Sequence, residues 1–176
     1  MNLNNFQELS KRTMPLEGMP KNHIHLEHGL TNYALGLIGE CVEVLSAAND
    51  REAILKELGD VSHYAFGILT FLGETYEPLT NYTVEGTKGS IINKIIILSG
   101  EISEQVKKFM FHRHELNSSK VVLALKMLIQ NLVVLAEMYD SSLERICEMN
   151  IDKLKMRYPD KFNVEDSKKR VDTAKG

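Results

Sequence analysis

Proline placement constrains this chain more than any other feature. Only four prolines occur in 176 residues, Pro15, Pro20, Pro78 and Pro159, leaving 21–77 and 79–158 without one. Proline removes a backbone donor and breaks helices. Long proline-free tracts rich in Leu, Ile, Glu and Lys favour helix. The one apolar run that resembles a strand, 91–98, continues straight into helix-compatible sequence. The expected fold is therefore all-α, an antiparallel bundle of about five to six helices in a single domain spanning 1–176.

The local signals divide the tracts. Residues 14–29, with two prolines, two glycines and three histidines, read as an irregular segment, and the cluster His23, His25 and His28 as a mobile lid or solvated loop. A first long helix is expected over 31–48. Asp50 is placed to cap a second over 51–72, which Gly73 ends. Residues 74–90 carry the strongest loop signal. Ser90 is the expected cap of a helix reaching 113, where His112-Arg113-His114 reads as a C-terminal cap. Asn117-Ser118 opens another over 119–138. The capping box Ser141-x-x-Glu144 starts a closing helix that stops before Pro159. The tail 163–176 is charged and expected to fray.

Charge and cysteine content narrow the function. Twenty-one Lys and Arg against 24 Asp and Glu give a net charge of -3. That balance argues against a nucleic-acid partner, whose phosphates call for a basic surface. No unbroken apolar run approaches the 18 or so residues of a membrane span, and the polar N-terminus lacks a signal peptide's apolar core. Two cysteines, Cys41 and Cys147, are too few for a disulfide framework or a zinc site, so they read as buried thiols of a cytoplasmic protein.

The chemistry-bearing residues are acidic. Glu40 and Glu43 lie three apart on one predicted helix, and Glu57 and Asp60 repeat that spacing on the next. Residues three apart share a helix face, and a short turn makes the two helices antiparallel neighbours. Their flanks, Leu37, Cys41, Val44, Leu58 and Val61, are apolar, so four like charges are drawn toward a buried face. Repulsion and lost hydration both oppose this. A hard divalent cation such as Mg²⁺ relieves both, since it takes carboxylate oxygens together with substrate phosphates. The bland reading is a solvated face on which Glu57 pairs with Lys56 or Lys94. Gly39 and Gly59 beside the acids cost helix propensity, which points to close helix approach. A Gly-Glu-x-x-Glu echo recurs at Gly100-Glu101 and Glu104, suggesting a duplicated helical hairpin over 91–138.

The stretches Tyr33 to Val44 (YALGLIGECVEV) and Lys56 to Tyr64 (KELGDVSHY) closely resemble the MazG-like family of all-α nucleoside triphosphate pyrophosphohydrolases. Asn150 to Pro159 (NIDKLKMRYP) with Phe162 looks like that family's closing helix, and Phe6-Gln7 with Lys11-Arg12-Thr13 fits its opening one. The resemblance covers 5–73 and about 143–163. It implies cleavage of a nucleoside triphosphate between its α and β phosphates, releasing a monophosphate and pyrophosphate. It further implies that Glu40, Glu43, Glu57 and Asp60 hold Mg²⁺, or Mn²⁺ in its place, and that Glu40 deprotonates the attacking water. Lys153 and Arg157 would neutralise phosphate oxygens, Asn150 would add a hydrogen bond and Tyr64 would border the nucleoside.

The chain departs from the short family pattern between 73 and 143, where an additional loop and helix pair appear. No Asp or Glu occurs over 119–136, so the second half lacks a partner acid pair. It looks like a degenerate fused pseudo-dimer with one complete site, similar to all-α dimeric dUTPases, and the expected assembly is a homodimer or a monomeric pseudo-dimer. Two rivals differ in class. A di-iron bundle requires Glu-x-x-His motifs, and only Asp60-x-x-His63 comes near one. The other is a catalytically inactive bundle that binds nucleotides or a protein partner.

Overall fold

A computed structural model describes residues 1–14 and 23–169, with side chains from 26 onward in the second segment. The regular structure of the described residues is all helical, with no strand among them. The helices are α1 (Leu3–Ser10), followed by a 3-10 turn (Lys11–Thr13), α2 (His23–Ser46), α3 (Arg51–Phe71), α4 (Lys88–His112), α5 (Ser118–Glu137), α6 (Leu143–Arg157) and α7 (Val164–Lys169). That is one helix more than the upper expectation, because a single turn and a half, α7, forms within the charged tail.

Most of the boundaries follow the local chemistry. Asp50 accepts hydrogen bonds from the amides of Glu52 and Ala53 at 2.9 and 3.1 Å, as an N-cap should. Gly73, at φ +72°, ends α3 in the left-handed conformation that glycine adopts without steric cost. The Glu74 amide then donates to Leu69 O and the Gly73 amide to Thr70 O, which satisfies carbonyls the helix leaves open. Two caps differ from expectation. Thr87, not Ser90, caps α4, and its hydroxyl accepts from the Ser90 amide. Ser142, not Ser141, caps α6 by accepting from Arg145. Ser141 is instead taken up by the left-handed turn at Asp140 (φ +53°), its amide bonded to Ala136 O.

The start of α2 overturns a larger expectation. The helix begins at His23, so His23, His25 and His28 are helical rather than in a lid; Pro15, Gly18 and Pro20 lie outside the described residues. Thr31 had the chemistry of a cap, but its hydroxyl donates to Glu27 O one turn back, at 2.9 Å.

Helices α2 and α3 are locked in register by aromatic rings seated on glycines. The Tyr64 ring lies over Gly36, Tyr33 over Gly67 and Phe71 over Gly29. A Cβ at any of these glycines would come within 2.3 Å of a ring carbon. The order 29, 33, 36 against 71, 67, 64 makes the pair antiparallel. Helix α4 packs on α2, and α5 packs on both α4 and α3, closing a ring of four helices. The two hairpins suggested by the internal echo thus lie side by side. Helix α6 lies along α3 and touches α5, while α1 fits against α6 and α3.

One contiguous core runs through all of these helices except α7, with Phe6, Leu37, Leu58, Phe66, Ile95, Leu128 and Ile146 among its buried members. Helix α5 has a mean hydropathy of 1.7 over its most apolar 18 residues, enough by length and composition to cross a membrane. The lack of an unbroken apolar run did not anticipate this. Half of that stretch is buried in the bundle. The long connection 72–87 is pinned to α5 by Gln130, which binds the Leu79 amide and the carbonyls of Leu79 and Tyr82, and by Asn131, which donates to Tyr82 Oη.

Candidate functional site

The turn at 47–50 returns the chain so that the last turns of α2 face the first turns of α3. Glu40, Glu43, Glu57 and Asp60 consequently line one cavity of about 580 Å³. One oxygen each from Glu40, Glu57 and Asp60 lies within 4.8 Å of the other two. Glu43 borders the cavity but stands outside this triplet. The opposite wall comes from α6 and the chain beyond it, with Lys153, Arg157, Tyr158 and Phe162.

Each acid sits in a different environment. Glu57 is only 8% exposed. Its Oε1 accepts from Lys56 Nζ at 2.9 Å, while Oε2 is buried without a hydrogen-bond partner. A buried carboxylate oxygen left unpaired is costly, and few native groups are left so. Asp60 is compensated twice from α6. Asn150 Nδ2 donates to its Oδ1 at 2.8 Å, and the Lys153 ammonium reaches both of its oxygens. Glu40 is pushed up to about 7, first by burial and then by Asp60, Glu43 and Glu57, with Lys153 opposing them. Neutral solution therefore leaves it poised between its two protonation states.

These oxygens suit a hard cation. All the converging donors are carboxylates. His63 also lines the cavity but stands outside the triplet; its Nε2 is 3.2 Å from Tyr33 Oη, its Nδ1 is buried without a partner, and burial pushes the ring down to about 4. The Cys41 thiol is buried beyond the cavity and pushed up to about 12. An all-oxygen donor set could hold a hard cation and does not suit a thiophilic metal. A cation held by these three carboxylates could give the unmet Glu57 oxygen a partner.

The remaining predicted residues divide. Tyr64 lines the cavity as expected, one helical turn from Asp60, with its hydroxyl pushed up by burial and then by Glu40 and Asp60. Lys153 and Arg157 also line it. Asn150 does not. It is 4% exposed and seats its side chain against Gly59, whose added Cβ would be 3.1 Å from Asn150 Cβ. Its Nδ2 bonds Asp60, while its Oδ1 is buried without a hydrogen-bond partner. Gly59 thus meets the close-approach expectation, but Gly39 does not, since a Cβ there would find no described atom within 4 Å.

The echo residues build no second site. Glu101 is exposed, and Glu104 pairs with Lys107 and Lys108 of its own helix at 2.5 and 3.5 Å. Sequence reasoning missed Tyr33, whose buried ring backs the cavity, and Arg12. The Arg12 Nη1 donates to the carbonyls of Tyr158, Pro159 and Asp160, fixing the segment that forms one cavity wall. Its signal was present in the sequence, as a lone arginine beside the predicted opening helix, but nothing local named its partner. Compared with protein-family models, curated proteins and solved structures, the chain finds no match.

Proposed function

We propose that this chain is a Mg²⁺-dependent nucleoside triphosphate pyrophosphohydrolase, as its resemblance to the MazG-like family implies. The observation that carries the reading is the convergence of Glu40, Glu57 and Asp60, with Glu57 Oε2 buried and unpartnered. Carboxylates crowded in this way need a cation, and the adjoining wall carries the positive groups that a polyphosphate needs.

Glu57, Asp60 and Glu40 would hold the metal, with Glu43 at the rim. When bound, the metal supplies charge neutralisation of the phosphate oxygens and lowers the pKa of water. The chain's own groups do the rest. Arg157 and Lys153 orient the phosphate chain, and Tyr64 borders the nucleoside. Glu40 takes the proton as a water oxygen bonds to the α-phosphorus and the bond to the α–β bridging oxygen breaks. The products are a nucleoside monophosphate and pyrophosphate. The substrate is a standard or modified nucleotide of the cytoplasmic pool, and the duplicated hairpins favour a homodimer or a monomeric pseudo-dimer.

The test is pyrophosphate release from a panel of nucleoside triphosphates, with and without Mg²⁺, using the native chain and Glu57→Gln. Mg²⁺-dependent turnover that falls at least about 100-fold in the variant is expected. A folded protein without turnover on any nucleotide would make it a binding module instead.

A further inference from the structure

Lys153 occupies a position that the cation itself needs. Its ammonium touches both oxygens of Asp60, one of the three convergent carboxylates, and the contact is enclosed, with only 15% of the Lys153 side chain and 17% of that of Asp60 exposed. Lys56 differs. It pairs with a single oxygen of Glu57 from a side chain that is 50% exposed. The two lysines therefore stand at unequal depth, and Lys153 is the inner one. Asn150, one turn earlier on the same helix, donates to Asp60 Oδ1 as well, so Asp60 is compensated twice from α6.

We infer that Lys153 is a resident counter-ion of the acid cluster that leaves Asp60 when a divalent cation enters, and is thereby delivered into the cavity for the phosphate chain. The inference rests on the cation reading above and adds a direction to it. A carboxylate oxygen cannot accept an ammonium contact and a close cation at once without placing the two positive charges within a few ångströms, where they repel in a poorly solvated pocket. Lys153 lies on α6 one turn before Arg157, and both line the cavity. A modest rotation of its flexible stem moves the ammonium from Asp60 toward the space that Arg157 borders. Without metal, the same lysine limits the repulsion among Glu40, Glu57 and Asp60. Metal and Lys153 therefore compete for Asp60, and phosphate binding follows metal binding in order.

Competitive amine labelling tests this on the full chain. An N-hydroxysuccinimide ester, applied with and without saturating Mg²⁺ and read by mass spectrometry, reports which lysines are free to react. Lys153 labelling is expected to rise about tenfold with Mg²⁺, an effect scaled to release of a charge-assisted contact. Lys56 should change less than about threefold. In parallel, Mn²⁺ titration followed by electron paramagnetic resonance measures affinity. Lys153→Met, which keeps the stem length, should bind Mn²⁺ about tenfold or more tightly, and Lys153→Arg more weakly than the native chain. Circular dichroism checks that each variant folds. If Mn²⁺ binds the native chain but Lys153 labelling is unchanged and Lys153→Met binds no more tightly, the exchange is refuted while the metal site stands. If Mn²⁺ binds neither the native chain nor Lys153→Met, the metal site itself is refuted, and the exchange with it.

Discussion

Two glycines on the same helix pair, Gly67 and Gly39, should respond to alanine in opposite directions. At Gly67 an added Cβ would lie 2.0 Å from Tyr33 Cε1 and 2.3 Å from Cδ1, far inside the 3.5–4.0 Å at which carbon atoms rest. Tyr33 is 1% exposed and enclosed by His63, Tyr64 and Phe71, with ring centroids 5.1–5.6 Å away. It has nowhere to turn. Overpacking of this kind costs up to about 3 kcal/mol, offset by the roughly 1 kcal/mol that alanine gains over glycine in a helix. The net is a loss of about 2 kcal/mol. At Gly39 no described atom lies within 4 Å, so only the gain of about 1 kcal/mol remains. For a chain of this size the melting temperature should fall by about 4–8 °C for Gly67→Ala and rise by about 2–4 °C for Gly39→Ala. Thermal melts give the shifts in melting temperature and urea melts the free energies, both followed by circular dichroism. The interlocked-ring account fails if Gly67→Ala is as stable as Gly39→Ala. It also fails if the Gly67→Ala penalty persists unchanged in a Tyr33→Leu background, where the clashing ring is gone.

The other predictions concern charge. Glu40→Gln should lower Mg²⁺-dependent pyrophosphate release by about 100-fold or more, measured at saturating nucleotide. Because the Glu40 value is raised in the folded chain from 4.5 to about 7, the folded state holds a proton that the unfolded state has released between those values. Metal-free stability is therefore full below about 4.5 and is lost as pH rises through about 7. The drop should be about 1 kcal/mol once partial solvent screening is included; melts at pH 5 and 8 measure it, and a metal-free chain more stable at pH 8 contradicts the assignment. Arg12→Ala should cost about 1–3 kcal/mol by leaving three carbonyls without their donor, read by the same urea melts. Glu104→Gln should leave turnover within twofold of native, since its partners are the surface lysines of its own helix; a larger loss would give the second hairpin a catalytic part.

The spacing of the acids was legible because helical geometry is local. Residues 40, 43, 57 and 60 needed only two helices and a short turn to reach one cavity. The compensation of those charges was less so. The sequence suggested Lys56 for Glu57, and that pair forms, but Lys153 and Asn150 reach Asp60 from 90 or more residues away, a contact that only tertiary packing sets. Asn150 comes close to α3 at Gly59, where a Cβ would lie 3.1 Å from its own. The early start of α2 was hidden because Pro15, Gly18 and Pro20 drew His23, His25 and His28 into one irregular segment, although His, Ile, Leu and Glu all tolerate a helix. Caps slipped by one to three residues wherever several hydroxyls competed, as at Thr87 and Ser90.

The Arg12 clasp spans 146 to 148 positions along the chain and has a consequence for synthesis. A ribosome delivers the carboxylates 90 residues or more before the amide and lysine that balance Asp60. Until then the nascent α2–α3 hairpin carries its acids with no helix to shield them, and the early arginine has no carbonyls to grip. Closure of the pocket therefore waits for α6 to emerge and dock against α1 and α3.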